Sequence, residues 1–445
     1  MNESEGRTVV TAGDSPSDEV AIEDLERNLR ERGVALVRVI HADLFGKARS
    51  KQFPVSELET LLGGVGYCKA SVVESIGGVP LEGGRFPADL GFPDMVSIPD
   101  RHSIRVVPWE PDTAWVLADL AEHGEPSELC CRSALRVACE RLAENGLEAI
   151  IAPEAEFYLF EETDEGVKPY SPGVGMAYTA GRRADPGGIL GRLHRQLIEL
   201  GIEVTAANRE FSPGQFELNL KHESAMRGAD NAFLFKEAVK ELALDQGMIA
   251  TFMAMPFAEH SGSSCHLHIS LWEDGRNLFL DDDGEVSELC HGFIGGLIEH
   301  SPALSAFSSP TVNSYKRTAA GGLVPDSARL GGDDREAYVR LPGGGPKAAR
   351  VELRSGDAAA NPYLLTAAAL YAGLDGISRS LPSDAVKQVP RALDEAIDAL
   401  EADDLLRHSL GPELVRVYAA LKRGEWERFT NAVTDWEWNE YVYQA

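Results

Sequence analysis

Residues 148–162 read EAIIAPEAEFYLFEE, an apolar run that carries glutamates at 154 and 156. Successive side chains of a strand point to opposite faces, so Glu154 and Glu156 share one face, while Ala155, Phe157 and Leu159 share the other. An ionised carboxylate is costly to bury without a partner. A strand built this way must turn its acidic face to water or to positive charge. A fold that satisfies it needs a cavity against the middle of a core strand.

The same alternation recurs. In GQFELNL (214–220), Gln215, Glu217 and Asn219 oppose Phe216, Leu218 and Leu220; in HLHISL (266–271), His266, His268 and Ser270 oppose Leu267, Ile269 and Leu271. In RVELR (350–354), Arg350, Glu352 and Arg354 share a face, and AYVRL (337–341) sets Tyr338 and Arg340 opposite Val339. A single strand of this kind is usually an antiparallel strand with one solvated face. A merely wet face favours Lys, Thr and Ser, whereas these hold Glu, His and Arg. Glu154, Glu156, Glu217 and Glu352 offer hard oxygen ligands, His266 adds a nitrogen, and Glu210 adds an oxygen from a loop end. Oxygen-rich sets with little nitrogen and no sulfur favour Mg²⁺ or Mn²⁺ over structural Zn²⁺.

Positive charge is concentrated later in the chain. Between Asn313 and Arg354 there are eight Lys and Arg against five Asp and Glu, in a chain whose formal charge is −29. Guanidinium forks bind phosphate and carboxylate in two-point geometry. Metals with an arginine cluster suit phosphoryl transfer. The common nucleotide-binding signatures, a Walker A loop or a GxGxxG after a strand, do not occur. The acidity of the whole argues against a general nucleic-acid or anionic-membrane binder. There is no signal-peptide pattern and no apolar run long enough to span a bilayer, and the six cysteines show no metal or disulfide spacing, so reduced thiols and a cytoplasmic location are expected.

At 445 residues the chain exceeds one ordinary core, and two domains are expected. Residues 1–17 are polar and unpatterned, and read as a disordered tail. A helix is expected over about 18–31, stopped at Gly33, then strands over 34–40 and 47–53 joined around Asp43–Gly46. HGEPSE (123–128) reads as a linker and 128–146 as a helix ending at Gly146. Strands and helices then alternate to about residue 380, and the last 60 residues read as amphipathic helices.

The segments PEAEFYLF, REFSPGQFELNL, GSSCHLHISL, NSYKR, DDREAYVRLP and ARVELRSGDAAANPYL resemble, in order and spacing, the signature segments of type I glutamine synthetases. The resemblance runs from about residue 20 to the C-terminus. It implies an α+β fold: a small N-terminal β-grasp domain (18–125) and a larger catalytic domain (126–445) with a curved antiparallel sheet and helices. It implies a homo-dodecamer of two stacked hexamers, with ATP as a substrate and two or more Mg²⁺ or Mn²⁺ ions per site. By matched motif, Glu156, Glu210 and Glu217 hold one metal, and Glu154, His266 and Glu352 the second. Arg317 and Arg354 hold the glutamate carboxylate, with Gly262 and Tyr178 also in the substrate site. Arg335, Arg340, Arg350, His268 and Ser270 face ATP, and Arg335 and Arg317 are the catalytic arginines. In this family ATP phosphorylates the γ-carboxylate of glutamate, and an amine then displaces phosphate.

The sequence departs from ammonia-using members at the acceptor side. Their flap loop carries a glutamate where RTAAGGLVPDSAR places Leu323, and their N-terminal DGSS aspartate corresponds to a position near Val72 in KASVVESIGG. Those carboxylates bind ammonium and take its proton. The loop resembles that of relatives that join glutamate to larger amines, as γ-glutamylpolyamine synthetases do. Met255 stands where a lysine is common, and Ser261 replaces an asparagine near the glutamate site. The expectation is therefore a γ-glutamyl ligase for an organic amine, the alternatives being true glutamine synthesis and a catalytically weak oligomer with a binding or structural role.

Overall fold

The computed structural model describes residues 22–78, 93–164, 166–171, 177–321 and 323–444; the expected tail over residues 1–17 lies outside them. Helix Ile22–Glu31 ends where Gly33 takes a φ of +83° and its N–H bonds back to Arg30 O. Strands Leu36–Ala42 and Ala48–Pro54 pair antiparallel, turning at Asp43, whose side chain accepts from the N–H groups of Phe45 and Lys47. Leu36–Ala42 also pairs parallel with Glu110–Glu122, and Asp94–Pro99 and Val65–Cys68 extend this seven-stranded sheet. Leu29, Val37, Val39, Leu58 and Val116 fill the space between sheet and helices, which completes the β-grasp-type unit. The 123–128 segment is not a free linker. His123 and Gly124, both at positive φ, turn the chain so that Glu125–Pro126 pairs back on Glu110–Glu122.

The second sheet has eleven strands, in the order Val204–Arg209, Gln215–Leu220, Glu148–Thr163, Cys265–Glu273, Val351–Leu353, Val339–Arg340, Leu330–Gly331 along its main path. The apolar face of Glu148–Thr163 carries Phe157, which packs within 6.3 Å of the rings of Phe216, Phe235 and Phe252. Phe235 belongs to helix Ala225–Leu244, which covers this face together with helix Cys131–Ala143, and helix Pro362–Arg379 packs on both of these helices. Burial of these aromatics fixes the sheet's orientation, so the alternate residues open on the other side. Helices Leu393–Ala402, Asp404–Ser409, Pro412–Thr430 and Asp435–Tyr441 close the chain. Among the described residues no helix is long and apolar enough to cross a membrane.

Candidate active site

Antiparallel register assembles the polar face row by row. Asn208 pairs with Glu217, which pairs with Glu156; Asn219 pairs with Glu154, which pairs with His266; and His268 pairs with Glu352, which pairs with Arg340. Residues dispersed over nearly 200 positions thus share one side of one sheet.

The first row, with Glu210 at its end, is an acid crowd. Glu156 Oε2 accepts from Gln215 Nε2 (3.0 Å) and from the Ser264 N–H (2.9 Å), and Glu210 Oε1 accepts from Asn208 Nδ2 (2.7 Å). None of Glu156, Glu210 and Glu217 forms an ion pair among the described residues. Burial, and then the charge of Glu156, pushes Glu210 up to about 7 and Glu217 up to about 9. Three carboxyls this close, with no basic partner among the described residues, form an all-oxygen donor set. These residues fit a hard divalent cation.

The second group centres on Glu154 and Glu352. His266 Nδ1 lies 3.5 Å from Glu154 and 3.6 Å from Glu352, and His268 Nε2 lies 2.9 Å from Glu154. One ligand atom each of Glu154, His268 and Glu352 lie within 4.8 Å of one another. Burial opposes the charge of both acids, but His266 and His268, joined at Glu352 by Arg354 and Arg340, more than offset it, and both carboxyls are held below the usual range. The two imidazoles are not equivalent. Arg350 Nε donates to His268 Nδ1 at 3.0 Å, so a neutral His268 carries its proton on Nε2, the nitrogen that faces Glu154. While that bond stands, His268 has no lone pair to offer inward. His266, with Nδ1 turned to both acids, fits the metal better.

Arginines surround the acids. Glu352, 1% exposed, is held by Arg354 and by Arg340 Nη1 (2.6 Å). Arg354 Nε also donates to Arg335 O (2.8 Å). Arg317 is buried and donates to Ser264 Oγ (2.8 Å) and Ser355 O (3.3 Å). Gly262 lets it in: a Cβ there would stand 2.6 Å from Arg317 Cγ and 2.7 Å from Ala254 O. Tyr178 is exposed, takes a φ of +64°, and feels the charges of Glu210, Glu217 and Arg335. Beside the second group opens a cavity of about 290 Å³, lined in part by His268, Ser270, Trp272, His222, Lys347 and Arg350. Apolar walls with one basic edge suit a flat heterocycle bearing phosphates.

Comparison with known proteins gives this geometry a family. The glutamine synthetase catalytic domain matches residues 128–441. The chain belongs to the glutamine synthetase family. Glutamine synthetase of Halobacterium salinarum is 32% identical over 469 residues, covering 97% of this chain and 99% of its own. Glutamate–methylamine ligase of Methyloversatilis universalis is 31% identical over 453 residues, covering 94% and 98%. The solved GmaS–ADP complex superposes with a TM-score of 0.84 at 32% identity, over 94% of this chain and 99% of that one. Enzymes of this family are carbon–nitrogen ligases that use ATP and divalent metal with glutamate and ammonia or an amine, and this chain is such a ligase.

Within this glutamine synthetase-family site the structure gathers Glu154, Glu156, Glu210, Glu217, His266 and Glu352 on one face, with Arg340 and Arg354 among them. His268, Ser270 and Arg350 line the cavity; Arg335 and Arg340 do not, and the Arg335 side chain is exposed. Lys347, Trp272 and His222 also line it and were not singled out from sequence. Trp272 continues the 266, 268, 270 alternation, which is the signal that reveals it. Gln215, seen only as a neighbour of Glu217, bridges Glu156 and Gly262 O. Met255 is buried, its backbone N–H and C=O bonded to the Asn313 side chain, and Ser261 is exposed.

Proposed function

We propose that this ligase joins the γ-carboxylate of glutamate to a small organic amine through γ-glutamyl phosphate. The observation that carries the acceptor assignment is the state of the acids that could hold an ammonium ion. Leu323, in the flap position, is 44% exposed. Glu74, in the segment matching the lost aspartate, pairs with Arg49 (3.4 Å), and Asp326 is exposed and accepts from Ser327 Oγ. The acids are thus neutralised or solvated, and carbon skeleton offers the better binding energy, at roughly 0.8 kcal/mol per buried methylene.

In this reading Glu156, Glu210 and Glu217 hold one Mg²⁺ or Mn²⁺ ion, and Glu154, His266 and Glu352 hold a second. Bound there, the ions would neutralise the phosphates and the phosphoryl group in flight. Arg317 and Arg354, with Gly262 and Tyr178, hold glutamate. Ser270, His268, Lys347 and Arg350 hold ATP at the cavity, and Arg335 and Arg340 meet the charge that develops on phosphate. A γ-carboxylate oxygen attacks the terminal phosphorus and ADP leaves. The unprotonated amine nitrogen then attacks the acyl carbon, the C–O bond breaks towards phosphate, and the surplus proton departs with it. The exposed Trp436, Trp438 and Tyr443 support assembly into an oligomer, which the resemblance makes a homo-dodecamer, and cysteines that form no disulfide among the described residues support a cytoplasmic location.

The test is phosphate release with glutamate, ATP and Mg²⁺, comparing ammonium with methylamine, ethanolamine, putrescine and aniline at equal concentration. An organic amine should exceed ammonium. Relatives of both names stand at 31–32% identity, which favours true glutamine synthesis as the second reading. Ammonium as the best acceptor by tenfold or more would establish that second reading instead.

A further inference from the structure

Arg317 is a charge without a close countercharge. It is 2% exposed, and burial pushes its guanidinium down from the ordinary arginine value. Both of its hydrogen bonds go to neutral acceptors, Ser264 Oγ and Ser355 O, its Nε–H has no acceptor, and it forms no ion pair among the described residues. A buried cation in such a setting depends on the next charges out. The acids that act on it most strongly are Asp357 and then Glu156.

Asp357 is 0% exposed, accepts from the Ala359 N–H at 2.8 Å through Oδ1, and has no hydrogen-bond partner at Oδ2. Its backbone N–H donates to Ser308 O (2.9 Å), and an isolated antiparallel bridge pairs it with Ser264. Ser264 is where everything meets. Its N–H donates to Glu156, its hydroxyl accepts from Arg317, and its backbone is bridged to Asp357. Two acids therefore compete for one guanidinium, and one of the two belongs to the metal row.

We propose that Asp357 is the positioning residue of the glutamate site: its buried carboxylate holds Arg317 back from Glu156 and leaves the outer N–H groups of the guanidinium to take the substrate carboxylate. This rests on the reading of Arg317 as the glutamate-binding arginine. Without Asp357 the guanidinium is drawn to Glu156, and the substrate loses its two-point contact while ATP keeps its own.

The experiment uses the full-length enzyme with Mg²⁺, ATP and its best amine, in four forms: wild type, Asp357→Asn, Arg317→Ala and the double variant. Asp357→Asn should raise the glutamate KM at least tenfold with the ATP KM within twofold, and should add less than twofold in the Arg317→Ala background. Additive effects, equal rises in both KM values, or an unchanged glutamate KM beside a raised one in Arg317→Ala overturn the role of Asp357 and leave that of Arg317 standing. An unchanged glutamate KM in Arg317→Ala overturns both. If Asp357→Asn does not fold, Asp357→Ser, which removes the carboxylate and keeps a small polar side chain, takes its place; an unchanged glutamate KM in that variant overturns the proposal.

Discussion

Replacing Glu217 by glutamine should stabilise the metal-free protein while destroying its response to metal. Glu217 faces Glu156 across the sheet, and burial together with Glu156, Glu154 and Glu210 raises its carboxyl from 4.5 to about 9. The unfolded chain releases this proton near pH 4.5, whereas the folded chain retains it to about pH 9. Stability from this group is therefore full at low pH and is lost as pH rises through that window. At 1.36 kcal/mol per pH unit, the loss is about 3 kcal/mol at pH 7 and about 5 kcal/mol at pH 8. Glutamine has no proton to release, so Glu217→Gln removes the loss and keeps the side chain's shape. Melting in EDTA from pH 5.5 to 8.5 should show the variant above wild type by a few degrees near neutrality, with the gap widening as pH rises. Added Mg²⁺ or Mn²⁺ should reverse the order, because only wild type gains the binding term. A variant that melts below wild type in EDTA at pH 8, or a gap indifferent to pH, would refute the account of the acid crowd.

Other expectations can be checked with the same preparation. Glu156→Ala should abolish phosphate release with particle size unchanged by light scattering; full activity in Mg²⁺ or Mn²⁺ would remove Glu156 from the metal site. Arg340→Ala should lower kcat at saturating substrate with the glutamate KM within about twofold, since phosphate-facing arginines act chiefly in the transition state. Gly262→Ala should raise the glutamate KM and cost about 1–3 kcal/mol from crowding against Arg317 and the Ala254 carbonyl; wild-type kinetics would show that the space exists. His41 is buried beside Arg49 and its pKa falls to about 4, so the unfolded state takes up a proton that the folded state refuses. Its contribution is whole above pH 6.5 and fades towards pH 4, by up to about 3 kcal/mol. His41→Gln should lose less melting temperature than wild type over that range, and parallel curves would refute it.

The acidic faces were legible because strand alternation is strict and Glu, His and Arg are unusual in its polar half. The helix stops were legible through Gly33 and Gly146, both at positive φ. Neighbour relations between strands were not, since nothing in GQFELNL states that Glu217 will face Glu156. The hairpin at 123–124 escaped notice because His123 at positive φ is not a residue that advertises a tight turn. The proton position on His268 depends on Arg350, 82 residues away in sequence but adjacent in space. Nothing in KASVVESIGG states that Arg49 will stand against Glu74. In each case the missing information is a long-range partner, which a local pattern does not encode.

Glu154 and Glu156 head two different clusters, yet they are joined by a single intervening residue. At about 3.4 Å of rise per residue, their Cα atoms stand about 7 Å apart along the strand. The pleat is therefore a ruler: it sets how far the two proposed cation positions can drift from one another, whatever the loops around them do. Loops can be exchanged to suit a different amine without disturbing that distance. Insertion or deletion of one residue at Ala155 would turn one carboxylate into the aromatic core around Phe157 and break the pair, so at this point evolution can change the substrate far more freely than it can change the spacing.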